Sequence, residues 1–332
     1  MRYNMKTILS GMQPSGQLHI GNYLGALKNW AALQNSGKYM CWFMIADLHA
    51  MTVNYDARAI GERTKNLALD YLACGIDPDH STIFIQSHIL EHTYLSWIFA
   101  NLVPIAELKR MHQFKEKTAS GEEAAMNTGL FTYPILMAAD ILIYKGDTVP
   151  VGEDQKQHVE ITCDIARKFN NAFGKTFPEP ELLLTPTPRV MSLTEPMNKM
   201  SKSKGEKNYI ALSDSPETIK KKLLSAVTDT SPGETMGAGV TNLFTLLKAF
   251  AKDDATHREL LNTYNAKTLQ YQELKETLAR EIIATLAPIQ EKRREFESRP
   301  EIVAEVLFEG TKKARALAQA TLAEVKEKVG LK

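Results

Sequence analysis

The sequence is poor in cysteine and has no long apolar run, and each shortage excludes a class of protein. Its three cysteines, Cys41, Cys74 and Cys163, form no CxxC pair and are odd in number, which excludes a disulfide framework and a zinc knuckle. No stretch approaches the ~20 apolar residues that a membrane-spanning helix needs, and the first residues lack the apolar core of a secretion signal. We therefore expect a cytoplasmic protein without a membrane segment.

The sequence also has no excess of charge of either sign and no unusual abundance of glycine or proline. Among 332 residues, 40 Lys and Arg balance 39 Asp and Glu, and Gly and Pro number 18 and 14. Balanced charge gives no basic surface that would by itself indicate a nucleic-acid partner, and the composition excludes collagen-like and disordered chains. The length predicts about two domains with at least one large core.

The first two hundred residues alternate short apolar runs with segments of helical periodicity. We predict strands at residues 7–9, 39–46, 81–86, 149–152 and 182–184, and helices at residues 21–33 and 60–74. This alternation is typical of a parallel sheet with helices on both faces. Ligands of such sheets bind outside the carboxyl ends of the strands, which is where Gln13 and His49 fall.

After about residue 203 the pattern is helical throughout. Ser215 followed by Pro216 predicts a helix start, and apolar residues repeat every four positions from Leu274 to Leu286. The basic runs at residues 220–222 and 292–294 are interpreted as solvated helix faces, with contacts to nucleic-acid phosphates as the alternative. We predict a doubly wound α/β domain over residues 1–195, a connecting loop over 196–206 and an all-helical domain over 207–332, whose last helix can pack back on the first domain.

Two separated motifs carry the chemistry. His19, Gly21 and Asn22 lie where a Gly-rich loop turns into a helix, and the N–H groups and dipole of a helix start suit an anion such as a triphosphate. About 180 residues downstream, the KMSKS segment at residues 199–203 carries two lysines and two serines. Two ammonium groups on one loop can clamp a leaving pyrophosphate. With no nucleophilic triad, the pattern indicates catalysis by positioning and charge neutralisation.

These motifs resemble those of a known family. PSGxxHIGN at residues 14–22 and KMSKS are similar to the two signatures of class I aminoacyl-tRNA synthetases, and LMAAD at 136–140 with GEDQKQH at 152–158 narrows the resemblance to the bacterial-type tryptophanyl enzymes. The resemblance implies a Rossmann-like catalytic domain, a helical domain that reads the anticodon of tRNA(Trp), a homodimer and no editing domain. It also implies that L-tryptophan and ATP form tryptophanyl-adenylate and pyrophosphate, after which tryptophan passes to the 3′ end of the tRNA.

The resemblance further assigns the site residues. The residues acting on the phosphates would be His19, Lys117, Lys199 and Lys202. The ATP-binding residues would be Gln13, Pro14, Ser15, Gly21, Asn22, Gly152, Glu153, Asp154, Val190, Lys199, Met200, Ser201, Lys202 and Ser203. The tryptophan pocket would consist of Asp140, as acceptor of the indole N–H, with Met137, Gln155, His49 and Ser10. Mg²⁺ would be held by ATP oxygens and water rather than by a protein metal site.

Several alternatives stay open at this point. A tyrosyl enzyme shares the architecture but would need groups that bind a phenol hydroxyl. A non-tRNA nucleotidyltransferase of the same superfamily needs no helical RNA-reading domain, and a non-catalytic RNA-binding paralogue does not need His19, Lys199 and Lys202. For Asp140, a structural salt bridge is the alternative to substrate binding, because a buried carboxylate without a partner is costly.

Overall fold

The fold is described by a computed structural model that covers residues 5–119, 127–152, 155–184, 188–229 and 235–331. Its five strands are β1 (Lys6–Met12), β2 (Tyr39–Ile45), β3 (Ser81–Ile85), β4 (Thr148–Val151) and β5 (Glu181–Leu184). All neighbours pair in parallel in the order β3-β2-β1-β4-β5. The chain therefore winds from β1 to one edge and then to the other, which confirms the predicted doubly wound parallel sheet.

Helices connect the strands. In chain order they are α1 (Ile20–Asn22), α2 (Lys28–Asn35), α3 (Asp47–Ala50), α4 (Ile60–Ala73), α5 (Glu91–Ala100), α6 (Ile105–Leu108), α7 (His112–Ala119), α8 (Thr128–Leu142) and α9 (Lys156–Phe173). A π-helical segment, Tyr23–Leu27, joins α1 to α2. The helices predicted at residues 21–33 and 60–74 are present. Helical periodicity predicted neither α5 nor α8, because both are apolar around most of their circumference and lack a polar stripe.

Alternate side chains of the sheet supply two separate cores. Ile8 of β1 and Phe43 of β2 join one apolar cluster, whereas their neighbours Leu9 and Met44 join the other. Successive side chains of a strand point to opposite faces, so each face of the sheet carries its own core. The first cluster continues into the C-terminal helices through residues such as Leu278.

Beyond β5 the named elements of the described chain are helices. They are α10 (Pro216–Leu224), α11 (Ala238–Phe250), α12 (Asp254–Asn265), α13 (Tyr271–Glu297) and α14 (Pro300–Lys328). The start of α10 is as predicted, with the Ser215 side chain accepting from the N–H of Thr218 and Pro216 in the first turn. The helical character of the second region is confirmed, and the domain limits stay predictions. Within the described residues, no helix has both the length and the apolar character required to cross a membrane.

The last helix returns to the sheet. α14 packs along the edge strand β3 and against α5. At Gly310 the two backbones are so close that an added Cβ would lie 1.8 Å from the carbonyl oxygen of Ile83. Arg315 donates to the carbonyl oxygen of His88 at 2.7 Å. α14 therefore covers an edge strand that would otherwise be open to pairing with another chain.

Two basic side chains that were expected to be solvated are paired instead. The Lys222 side chain is 11% exposed and contacts Asp214 at 2.6 Å, and the Arg293 side chain is 19% exposed and bonds to Asp70 of α4. The interpretation of these two residues as part of solvated faces was wrong. Asp214 lies directly before the N-cap of α10 and Asp70 lies on the distant helix α4. Helical periodicity carries no information about either contact.

Candidate active site

A cavity of about 1180 Å³ opens at the carboxyl ends of the central strands. Its lining includes Met12 and Gln13 at the end of β1, Ala46 after β2, and Val151 and Gly152 at the end of β4. β1 lies between β2 and β4, and the chain reverses its direction of winding at this point. Such a switch point is the usual ligand site of an open α/β sheet.

Most residues assigned from the sequence line this one cavity. From the ATP set they are Gln13, Ser15, His19, Gly21, Asn22, Gly152, Val190, Lys199 and Met200, and from the tryptophan set all five, Ser10, His49, Met137, Asp140 and Gln155. Pro14, Ser201 and Lys202 are not among the lining residues. Pro14 and Ser201 adjoin lining residues in the chain, and Lys202 contacts the lining residue Ser15. Glu153, Asp154 and the side chains of Lys117 and Ser203 lie outside the described residues.

His19 caps the helix that follows the Gly-rich loop. Its Nδ1 accepts the N–H of Gly21 at 3.1 Å, and its own N–H donates to the Asn22 side chain at 3.0 Å. A Cβ on Gly21 would lie 2.9 Å from the His19 ring, so this cap requires glycine at position 21. Burial, with the nearby charges of Lys202 and Lys199, lowers the pKa of His19 to about 4. The imidazole is therefore neutral at neutral pH, and since Nδ1 accepts, Nε2 carries the proton.

The KMSKS segment reaches back to the Gly-rich loop. The ammonium of Lys202 donates to the carbonyl oxygen of Ser15 at 3.0 Å and to its hydroxyl at 3.2 Å. Burial and the charge of Arg63 lower the pKa of Lys202. The fold thus brings two motifs that are far apart in sequence to the same side of the cavity, with positive charge where a phosphate chain would lie.

The strand-like residues before the KMSKS segment hold it in place. The N–H of Met200 donates to the carbonyl oxygen of Val190 at 3.0 Å, and the N–H of Ser192 to that of Asn198 at 2.8 Å. On the other side of this short pairing, the Asn242 amide of α11 accepts the N–H of Met191 at 3.1 Å and donates to its carbonyl oxygen at 3.0 Å. The helical region therefore contacts the backbone that supports the phosphate loop.

Asp140, which also lines the cavity, presents a buried carboxylate that is 1% exposed. Gln86 Nε2 donates to both carboxylate oxygens at 2.9 Å, His49 Nε2 contacts Oδ2 at 2.8 Å, and His92 Nδ1 contacts Oδ1 at 2.5 Å. Burial opposes the charge, but the hydrogen bonds from His49 and His92 outweigh it and keep the pKa of Asp140 below its usual value. Among the described residues that line the cavity, Asp140 is the one carboxylate, and it can act there as a hydrogen-bond acceptor.

Sequence reasoning missed several residues of this region. Tyr133 lines the cavity, and its hydroxyl contacts His158. Tyr133 lies four positions before Met137 and seven before Asp140, so helical periodicity could have placed it on the same face of α8. Gln86 and His92 carried no such signal, because Gln86, directly after β3, and His92 of α5 reach Asp140 through contacts that depend on the tertiary fold.

Comparison with known proteins identifies the family of the chain. A family model described as tRNA synthetases class I (W and Y) matches residues 4–287. The chain belongs to this family. The synthetase is 45% identical to the tryptophan–tRNA ligase of Caldanaerobacter subterraneus, over 98% of the chain and 99% of that relative. It is 42% identical to the one of Clostridium acetobutylicum, over 99% and 98%.

Solved structures agree with this assignment. The synthetase matches the tryptophanyl-tRNA synthetase of Campylobacter jejuni, crystallised with ADP and tryptophan, with a TM-score of 0.83 and 37% identity over 98% of the chain and 100% of that structure. The Mycoplasma pneumoniae tryptophanyl-tRNA synthetase gives a TM-score of 0.86 at 36% identity, over 99% of both chains. A tyrosyl-tRNA synthetase of Archaeoglobus fulgidus, at 19% identity and a TM-score of 0.69, covers 88% of the chain and shares the fold alone. The resemblance drawn from the motifs is confirmed.

Proposed function

We propose that the synthetase is a tryptophan–tRNA ligase whose ATP site and tryptophan site share the cavity described above. The observation that carries the proposal is the contact between Lys202 and Ser15, since it joins the two phosphate-binding motifs at a cavity that Asp140 also lines. Relatives named tryptophan–tRNA ligase at 42–45% identity over the full chain support the choice of amino acid. Neither the tyrosyl nor the nucleotidyltransferase alternative gains support from any observation.

In the first half-reaction the tryptophan carboxylate attacks the α-phosphorus of ATP, the bond to the bridging oxygen breaks, and pyrophosphate leaves with the negative charge. His19 is neutral and offers Nε2–H to phosphate oxygens, while Lys199 and Lys202 place positive charge beside the leaving group. Such chemistry depends on positioning and charge neutralisation rather than on a covalent nucleophile.

The remaining ATP contacts follow the loop and the strand ends. The phosphates and ribose are bordered by Gln13, Ser15, Gly21 and Asn22. The adenosine is bordered by Gly152 and Val190, and Glu153 and Asp154 directly follow Gly152 in the chain. Mg²⁺ comes with ATP, and phosphate oxygens and water supply its ligands, because Mg²⁺ gives up its water reluctantly. No group of three His, Cys, Asp or Glu side chains that could hold a metal ion occurs among the described residues.

The amino acid lies on the Asp140 side. Its indole N–H donates to the Asp140 carboxylate, and Met137, Gln155 and His49 shape the surrounding wall. Ser10 donates to the Pro150 carbonyl oxygen at 3.3 Å, which ties β1 to β4 beneath the pocket. Phenylalanine has no ring N–H, so it cannot offset the cost of disturbing this carboxylate, and sites of this kind reject such analogues by about 10⁴ or more.

The second half-reaction needs tRNA(Trp). Its terminal ribose attacks the acyl carbon of tryptophanyl-adenylate, AMP leaves, and the helical region beyond about residue 207 contacts the anticodon. We place this reaction in the cytoplasm, where reduced thiols persist, in keeping with the free cysteines Cys41, Cys74 and Cys163.

We also propose a homodimer. Leu90, Tyr94 and Trp97 follow one face of α5 at helical spacing and are exposed, as is Ile105 of α6, with Leu90 and Trp97 each 74% exposed. A row of large apolar side chains open to solvent is typical of an interface rather than of a free surface. A second copy of the chain covers this face, so that one subunit can hold the acceptor end of a tRNA and the other its anticodon.

The test is ATP–pyrophosphate exchange measured with each of the twenty amino acids, followed by charging of tRNA(Trp). Exchange should occur with tryptophan, and Lys202→Ala should lower its kcat by about 10²-fold or more, because the ammonium acts on charge that develops in the transition state. The matched control is Lys204→Ala, whose ammonium pairs with Glu195 instead. Preference for tyrosine would overturn the substrate, and normal exchange without charging of any tRNA would favour the nucleotidyltransferase.

A further inference from the structure

Each of the two oxygens of Asp140 accepts two hydrogen bonds. A carboxylate offers about four lone-pair positions. Gln86 takes one on each oxygen, and His92 takes the second on Oδ1. The second position on Oδ2 is held by His49 at 2.8 Å. Three of the four positions therefore belong to Gln86 and His92.

Those two residues lie behind the pocket wall. Gln86 and His92 are both 0% exposed, whereas His49 and Asp140 line the cavity. Of the three residues that donate to the carboxylate, His49 is thus the one that a ligand in the cavity can reach. The acceptor position available to a ligand is the one on Oδ2 that His49 now occupies.

A third layer fixes the direction of each donor. The Gln86 carbonyl oxygen accepts the N–H of Leu48 at 3.1 Å, so its NH₂ group must face Asp140. His92 Nε2 contacts the Tyr144 hydroxyl at 2.7 Å. Burial raises the pKa of Tyr144, so the hydroxyl keeps its proton. The Asp140 carboxylate can only accept, so His92 donates to it through Nδ1, and the Tyr144 hydroxyl can donate to Nε2. The Tyr144 ring is in turn stacked on Trp42 with centroids 5.2 Å apart.

We propose that Gln86 and His92, held by Tyr144, are positioning residues that determine the amino-acid specificity of the synthetase. They keep the Asp140 carboxylate ionised and in one orientation, with a single acceptor position toward the cavity. A ring N–H takes this position and His49 gives it up, whereas a ring without N–H leaves the bond between His49 and Asp140 in place. The inference rests on the proposed function, since it takes Asp140 as the contact of the indole.

The groups that face Asp140 also predict a dependence on pH. His49 approaches from α3 and His92 from α5, and Tyr144 stands behind His92. The hydrogen bonds from His49 and His92 lower the pKa of Asp140 against the effect of burial. Gln86 also donates to both oxygens of the carboxylate, so removing its amide should raise the pKa of Asp140. Tryptophan binding should then weaken as the pH falls, because a protonated Asp140 no longer accepts equally well.

The experiment compares tryptophan with 3-benzothienylalanine, in which sulfur replaces the ring N–H, in ATP–pyrophosphate exchange. Gln86→Met keeps the side-chain length and removes the amide, and it should lower kcat/KM for tryptophan by about 10- to 100-fold, the range for a hydrogen bond to a charged group. The values for 3-benzothienylalanine and the KM for ATP should change by less than about threefold, so the selectivity falls with the tryptophan value. The KM for tryptophan should also rise as the pH falls, in the variant alone.

Two further variants separate specificity from folding. Phe84→Leu alters packing against His92 and Tyr144 without removing a hydrogen bond, and it should leave the selectivity intact. Tyr144→Phe keeps the stacked ring and should lower the selectivity by about 3- to 10-fold, the range for a neutral hydrogen bond. If Gln86→Met does not fold, Tyr144→Phe decides the question.

The outcomes are distinct. Equal losses with both amino acids, or a loss of selectivity that Phe84→Leu reproduces, would overturn the inference and leave the proposed function intact. A wild-type enzyme that activates tryptophan and 3-benzothienylalanine equally well would instead overturn the assignment of Asp140 itself.

Discussion

The guanidinium of Arg293 on α13 forms an ion pair with the carboxylate of Asp70 on α4. The same guanidinium donates to the carbonyl oxygen of Asn66 at 3.2 Å and to its side-chain oxygen at 2.8 Å. Burial nevertheless raises the pKa of Asp70 to about 6, with Arg293 opposing the rise. The helical region and the nucleotide-binding sheet are therefore joined by a partly buried charge pair.

Arg293→Ala should destabilise the protein in a pH-dependent way. A carboxyl group whose pKa is higher in the folded chain binds more protons there, so its contribution to stability is full below about pH 4 and is lost as the pH rises through about 6. Removing Arg293 leaves an unpaired carboxylate, which should lower the free energy of unfolding by about 3 kcal/mol at about pH 8 and by less at about pH 5. Urea unfolding followed by circular dichroism measures both values, with exposed Lys292→Ala as the control. The same loss at both pH values would contradict this role of Asp70.

Gly310→Ala should displace α14 from the sheet edge. The new methyl group would lie 1.8 Å from the Ile83 carbonyl oxygen, which belongs to a strand backbone that cannot yield. We expect a loss of about 3 kcal/mol or more in the free energy of unfolding, the upper range for an overpacked site. Gly61→Ala is the matched control, since a Cβ there meets nothing within 4 Å and should stabilise α4 by up to about 1 kcal/mol. Equal thermal stability of the two variants would refute the close contact.

His19 in the free enzyme should titrate near pH 4 rather than near its ordinary value. Burial is the main cause, and the charges of Lys202 and Lys199 add to it. NMR of the histidine ring signals, assigned by comparison with His19→Gln, should show a neutral imidazole with the proton on Nε2 above about pH 5. Lys202→Ala should move the pKa upward, because one of the two nearby charges is gone. A midpoint near pH 6.5 in the wild type would contradict the neutral donor.

Trp97→Asp should convert the proposed dimer into monomers. The indole is 74% exposed at the centre of the apolar face of α5, and burying an unpaired carboxylate in an interface is strongly unfavourable. Sedimentation equilibrium measures the change, with Leu224→Asp on α10 as an exposed apolar control elsewhere. A wild type that sediments as a monomer at micromolar concentration would rule out the homodimer.

The sheet and the phosphate-binding half of the site could be predicted from local sequence. Buried parallel strands read as short apolar runs, and His19 with Gly21 and Asn22 forms its cap within four residues of chain. The resemblance assigned Lys202 and Ser15 to one ATP site, but their direct contact was not predicted, because no local rule brings together residues 187 positions apart.

The supports of Asp140 could not be predicted in the same way. Gln86, His49 and His92 come from three different elements and meet at one carboxylate. The alternative of a structural role for Asp140 is therefore partly correct, since the carboxylate is paired within the fold and also lines the cavity. The prediction that Arg293 is solvated was wrong for the same physical reason, because its partner Asp70 lies on a helix that is distant in sequence.

The most direct measurement is a crystal structure of the synthetase with tryptophan and a non-hydrolysable ATP analogue. We predict the indole N–H within hydrogen-bonding distance of Asp140 Oδ2, with His49 turned away from that oxygen. We predict the triphosphate between His19 and the KMSKS segment, next to Lys202. An indole bound away from Asp140, or a nucleotide that contacts only one of the two motifs, would contradict the account.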